Sequence, residues 1–190
     1  MNLGRLAGSP VLCQSHMLGE PSGFVHGYVV AVARKDITMT DIEITSFLSE
    51  GAPILQLATI GKDGSPHQAP MWFTMDDNRI VFRSFTKSQK IVNLMRDPRL
   101  SVLVEQGHAY AELQGVMIQG TARLITDPAY VLKIYGALAA RYPMLGNEPI
   151  EMNEQSLENA FGRFAPKNTA VIVEPTRVTS WDHTKLGGAY

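Results

Sequence analysis

Apolar and polar residues alternate with two different periods along this chain, and the points where the period switches mark its elements. Over residues 40–50, Ile42, Ile44, Phe47 and Leu48 fall mostly on one helical face. Thr40 and Glu43 have the spacing of a capping box, and Gly51 ends the helix. Residues 53–60 are apolar and β-branched, Gly61-Lys62-Asp63-Gly64 is a hairpin turn, and residues 66–75 form the returning strand. Asp76-Asp77-Asn78 turns the chain into a further strand at residues 79–83, and a short helix over 88–96 stops at Asp97-Pro98.

The remaining pattern continues the meander. Residues 100–105 and 111–125 read as strands, with Gly115 and Gly120 as bulge or bend positions in the longer one. Asp127-Pro128 opens a helix to about residue 142, and a second helix covers 153–164. Residues 169–180 supply the last strand, with Pro175 placing part of it at an edge. Roughly six short strands with helices at the connections predict a mainly β fold, a small antiparallel barrel with flanking helices. Residues 1–38 differ from the rest: rich in Gly, Pro and Ser, they read as a flexible N-terminal extension, the run 27–33 being its one candidate strand. The folded domain is expected over residues 39–190.

Composition narrows the function. At 45% hydrophobic and 18% charged residues the chain builds an ordinary core, and its net charge of -1 creates no basic field toward nucleic acid or anionic lipid. No apolar run approaches a membrane span, and the opening Met1 to Pro10 segment, broken by Gly and Pro, makes a poor secretory leader. The single Cys13 excludes an intrachain disulfide and any multi-cysteine metal site, and the histidines lack metal-ligand spacing, so no metal is expected. A cytoplasmic protein is the expectation.

The most informative chemistry lies between residues 82 and 99. A strand ends there in Ser84-Phe85-Thr86-Lys87-Ser88-Gln89-Lys90 and opens directly into a helix. First-turn N–H groups lack internal partners and carry the positive end of the helix dipole. Thr86 and Ser88 add hydroxyls, and Lys87 and Lys90, with Arg83 on the preceding strand, add positive charge. Lysines in a first turn oppose the dipole unless an anion is present. The pattern therefore reads as a seat for one phosphate group, although hydroxyl N-caps and solvated lysines are also common.

The ordered segments Leu57 to His67, Pro70-Met71-Trp72-Phe73, Thr86 to Lys90, Arg96-Asp97-Pro98-Arg99 and Ser180-Trp181-Asp182-His183-Thr184-Lys185-Leu186-Gly187 resemble the FMN-binding split-barrel family, the pyridoxamine 5'-phosphate oxidase-like proteins. Within it, the chain is most similar to the branch that uses the deazaflavin coenzyme F420. The resemblance covers residues 40–187 and implies a six-stranded split barrel, a homodimer and a cofactor at the subunit interface. It places the cofactor phosphate at residues 84–90 and the ring along Ala69, Pro70, Met71 and Trp72. Trp181 and Lys185 would close one end of the site. Gln89 and Ala69 stand where the oxidase pattern has arginines, which counts against true pyridoxamine phosphate oxidation.

The implied activity is hydride transfer between F420, or alternatively FMN, and a conjugated small molecule. No protein acid or base stands out; adjacent Asp182 and His183 point apart in an extended segment, leaving His183 to act alone if at all. Two rival readings remain: a non-catalytic carrier of a flavin, haem or tetrapyrrole, and a flavin-responsive interaction module using the N-terminal arm.

Overall fold

Among the described residues seven strands, one more than the sequence pattern predicts, form a single antiparallel sheet. The structure, a computed structural model, describes residues 37–51 and 53–187. The expected arm up to residue 36, with its candidate strand, lies outside the described residues. In chain order the elements are α1 (Asp41–Ser49), β1 (Leu55–Ile60), β2 (Pro66–Met71), β3 (Thr74–Asp76), β4 (Arg79–Phe85), α2 (Gln89–Arg96), β5 (Arg99–Gln106), β6 (Gln114–Ile125), α3 (Pro128–Ala139), α4 (Glu154–Phe161) and β7 (Asn168–Asp182). Short 3-10 turns occupy Tyr110–Glu112, Ala165–Lys167 and His183–Leu186. No helix among the described residues is long and apolar enough to cross a membrane.

The extra strand arises because residues 66–75 divide. Met71 pairs with Leu55, where β1 begins, so the chain runs out of partner there and β3 pairs with β4 instead. The strand order is β2-β1-β5-β6-β7-β4-β3, which makes β2 and β3 the two edges of the sheet. Along the chain only Trp72 and Phe73 separate them. Three peptide steps span at most about 11 Å. The sheet therefore curls until its edges nearly meet, and the result is a split barrel.

Inside the curl, Leu57, Phe73, Phe82, Val102, Val116 and Val171 pack with Leu48 of α1 and with Ile91 and Leu94 of α2. On the outside of β4 and β7, Val81, Ala170 and Ile172 are covered by α3 and α4 through Val131, Ile134, Leu138 and Phe161. β4 is thus buried on both faces over residues 80–82 and β7 over residues 170–173, which explains their continuous apolar runs there. Each large side chain so buried contributes about 1.5–3 kcal/mol.

Local chemistry sets the element ends. The Thr40 hydroxyl accepts from the Glu43 N–H and the Glu43 carboxylate from the Thr40 N–H, completing the expected capping box. Ile42, expected on the apolar face, is 83% exposed, because it sits roughly 200° around the axis from Ile44. At the other end of α1, Arg141 donates to the carbonyls of Leu48 (2.7 Å), Gly51 (3.0 Å) and Phe73 (3.3 Å). Its charge complements the helix C-terminus and ties α1 to the link between β2 and β3.

The two strand glycines differ. A register shift at Gln119/Gly120 confirms the bulge, and Pro175 opposite lies beyond the last residue of β7 paired with β4, Ile172. Gly115 keeps regular pairing with Trp181; its constraint is the indole lying over it, in the space a Cβ would need. Gly115→Ala is expected to destabilise the fold by about 1–3 kcal/mol, measured by denaturant unfolding.

Lys185 donates to Glu43 at 2.7 Å, docking the last 3-10 turn on α1. This ammonium, with the Thr40 bonds, holds the Glu43 carboxyl at about 2 against an ordinary 4.5. Its stabilising contribution is complete above the unfolded value, about pH 4.5, and lost as pH falls through about 2. Glu43→Gln keeps a capping-box side chain but removes the charge. Its thermal midpoint should therefore fall less steeply than that of the unsubstituted protein between pH 5 and 2; parallel profiles would contradict this.

Candidate functional site

The link between the sheet edges forms one wall of a cavity of about 400 Å³. Strand alternation turns Phe73 into the core, where it is fully buried, and Trp72 outward into the cavity. The indole stacks on Tyr142 with centroids 5.0 Å apart and planes 10° from parallel. Tyr142 is itself fixed, its hydroxyl donating to the Pro53 carbonyl at 2.8 Å and accepting from the Phe73 N–H at 3.4 Å. Trp72 thus presents a rigid flat face. Pro70 and Met71 of β2, Ile54, Phe85, Leu138, Arg83 and Ser84 complete the lining.

Ser84 connects this cavity to the start of α2. Its Oγ lies 3.0 Å from Ser88 Oγ and accepts from Lys90 Nζ at 3.4 Å. Ser88 is the N-cap of α2 but makes no side-chain cap bond, whereas Thr40, Asp127 and Asn153 cap α1, α3 and α4. The N–H groups of Gln89, Lys90 and Ile91 have no acceptor among the described residues, and the first turn holds no acidic residue. Two hydroxyls, one ammonium and free first-turn amides therefore converge. The helix carrying them is firmly set. Ile91 and Leu94 are in the core, and buried Asn93 donates to Thr59 at 3.1 Å while accepting from Gln89 at 2.8 Å.

Arg83 points to the other face of β4. Its guanidinium lies 4.1 Å over the Tyr135 ring, and one terminal nitrogen donates to Asn168 Oδ1 at 3.3 Å. The buried Nε has no partner, and no carboxylate pairs with this charge among the described residues. Burial pushes the guanidinium's pKa down and that of the Tyr135 phenol up.

Of the residues singled out in the sequence, Pro70, Met71, Trp72, Arg83 and Ser84 border the cavity, and Ser88 and Lys90 adjoin it through Ser84. Ala69 is half-buried on β2 beside them, and Lys87 is exposed. Thr86 turns away, its hydroxyl 2.9 Å from that of Thr169 and its N–H donating to the Lys167 carbonyl at 3.0 Å. Trp181 and Lys185 are placed elsewhere: the indole covers Gly115, and the ammonium is engaged by Glu43 and the Thr38 carbonyl. Asp182 caps the last 3-10 turn through Thr184, while the His183 ring packs on Tyr110 and its Nδ1 lies 2.8 Å from the Tyr110 carbonyl oxygen.

Tyr135, Leu138 and Tyr142 were not singled out, although their three- and four-residue spacing marks one helical face. Asn168 carried no such signal.

The chain is 36% identical to a conserved hypothetical protein of Mycobacterium tuberculosis. The crystal structure of that protein matches with a TM-score of 0.72 over 80% of this chain and 90% of that one. A structure described as an F420 reductase shares the fold at a TM-score of 0.51 and 24% identity, covering 70% of this chain and 94% of that one. The 5a,11a-dehydrotetracycline/5a,11a-dehydrooxytetracycline reductase of Streptomyces rimosus subsp. rimosus is 30% identical over 92 residues, 45% of this chain; the chain spans 63% of that relative's length. A family model for pyridoxamine 5'-phosphate oxidase matches residues 40–182, from the cap of α1 to the end of β7. The chain belongs to the pyridoxamine 5'-phosphate oxidase family.

Proposed function

We propose that the protein is an oxidoreductase that binds a phosphate-bearing flavin-type cofactor, F420 or alternatively FMN, and passes a hydride to or from a conjugated small molecule. One observation carries this reading: the cavity walled by Trp72 and the donor cluster at the start of α2 share Ser84. A phosphate fits that cluster, because its oxygens accept from the two serine hydroxyls, the Lys90 ammonium and amides that have no other partner. The cavity volume, about 400 Å³, lies in the range of small-molecule sites.

The remaining roles follow from the same surfaces. β2 is an edge strand, and the register set by the Gly61 N–H bond to the Ser65 carbonyl turns the backbone groups of Ala69 and Met71 toward Leu57 and Leu55 of β1. The Gln68 backbone and the Pro70 carbonyl are therefore the outer-side groups available to ring heteroatoms, Pro70 itself offering no N–H. Ile54, Met71, Phe85 and Leu138 exclude water from the ring. When bound, the cofactor supplies the hydride acceptor or donor. Among the described residues the lining contains no carboxylate and no histidine, which fits a protein that binds and orients rather than exchanging protons through its own side chains. The Streptomyces relative, a reductase by name, supports the same reaction class.

F420 stands first because the Lys87-Ser88-Gln89-Lys90 and Trp181-Asp182-His183 words resemble the deazaflavin branch. The longer acidic tail of F420 wants cations near the site, and Lys87, Lys90, Arg96, Arg99 and Lys185 are the candidates that the motifs supply. Arg99 is paired with Asp97 at 2.7 Å, Lys185 with Glu43 at 2.7 Å, and Arg96 donates to the Ile60 carbonyl, which leaves Lys87 and Lys90. A homodimer completes the reading: Ile54 and Phe85 at the cavity and Val92 and Met95 on α2 are exposed apolar side chains that a second copy would cover.

Fluorescence titration of the purified protein with F420 and with FMN is expected to give saturable binding, tighter for F420. Lys90→Ala should weaken that binding by about 1–3 kcal/mol while leaving the melting temperature unchanged. Unchanged affinity would remove the phosphate seat, and binding without turnover of any conjugated acceptor would return the carrier reading. Light scattering on the eluting protein should give the mass of a dimer; a monomer that still binds cofactor would contradict an interface site.

A further inference from the structure

We infer that Arg83 anchors an anionic group, a carboxylate or an enolate, on a planar conjugated substrate laid against Trp72. This rests on reading the cavity as a hydride-transfer site. The first argument is charge. A half-buried guanidinium without a carboxylate carries an uncompensated desolvation cost. Among the described residues its contacts are one neutral amide oxygen and the face of Tyr135, and its Nε is buried without a partner. Such a group is stabilised by an anion that arrives with a ligand.

The second argument is geometry. Arg83 and Ser84 are neighbours on β4 and so project to opposite faces of the strand, yet both border the same cavity. The cofactor phosphate has its own cation, Lys90, on the Ser84 side. Among the described residues Arg83 is the only charged one in the lining, and the other surfaces on its side are Trp72, Leu138 and Phe85. That environment suits a flat apolar body with one negative end. Stacking on Tyr135 and the bond from Nη1 to Asn168 fix the guanidinium plane, which leaves Nη2, without a hydrogen-bond partner among the described residues, as the donor open to an oxyanion.

The test uses the full chain, with and without bound cofactor, and a matched pair of probes, 2-naphthoate and its neutral isostere 2-naphthamide. Binding is followed by tryptophan fluorescence and calorimetry. The unsubstituted protein should prefer the carboxylate by about tenfold or more. Arg83→Gln should abolish the preference, Arg83→Lys should retain part of it, and both should bind F420 or FMN within about threefold of the original affinity. Equal affinities for the two probes, or no saturable binding of either, would overturn the inference without recourse to a variant. A tenfold loss of cofactor affinity in Arg83→Gln would also overturn it, by assigning the arginine to the cofactor. Probe preference lost on Arg83→Gln, with no binding of F420 or FMN, would uphold the anion anchor and overturn the cofactor reading alone.

Discussion

The two edges of the sheet are joined by Trp72 and Phe73, and most of the fold follows from that short link. A seven-stranded sheet whose outermost strands are covalent neighbours cannot stay open. It must curl, and curling encloses the apolar face that holds Phe73, Phe82 and the β5 and β6 valines. Because consecutive residues in extended chain face opposite ways, the link that buries Phe73 must also turn Trp72 outward. Closure of the barrel and creation of the cavity wall are one event. Arg141, which binds the Phe73 carbonyl together with the last carbonyls of α1, holds that junction in place.

The same alternation organises the far wall. β4 is covered on both faces, by the barrel interior and by α3, so its side chains have little freedom in where they point. At its end the apolar run gives way to Arg83 and Ser84, and the strand delivers one polar group to each side. Ser84 meets Ser88 and Lys90 at the start of α2, while Arg83 lies on Tyr135. The two anion-attracting groups are separated by a strand rather than pooled. This separation underlies the assignment of Lys90 to a phosphate and Arg83 to a second ligand.

Much of the fold was legible in the sequence because it depends on local signals. The Thr40 capping box, the Gly120 bulge, the edge position of Pro175 and the strand-turn-helix at residues 79–96 all appear where residue type and spacing place them. The division of residues 66–75 into β2 and β3 was not legible, since it is caused by the absence of a partner beyond Leu55, a fact about another strand. The same holds at the site. The serines and lysines of the α2 turn are local in sequence and were found. Tyr135, Tyr142 and Asn168 back Arg83 and Trp72 from remote segments; the helical spacing of the two tyrosines marks a face to be buried but not what that face meets, and Asn168 carries no pattern. Trp181 and Lys185 carried a family word, but tertiary contacts with Gly115 and Glu43 decide what they touch within one chain.

The central claim is that a phosphate group sits on Ser84, Ser88, Lys90 and the first-turn amides of α2. It is tested most directly by comparing each cofactor with its own phosphate-free chromophore: F420 against the dephosphorylated deazaflavin, and FMN against riboflavin. The ring systems are unchanged within each pair, so the cavity contributes equally; riboflavin lacks only the phosphate, whereas the dephosphorylated deazaflavin also lacks the acidic tail, so the FMN pair isolates the seat. Loss of the phosphate should weaken binding by at least about tenfold, with the difference shrinking as salt is added. Equal affinity within the pair that binds would show that the ring alone holds the ligand and that the donors at α2 serve the fold instead.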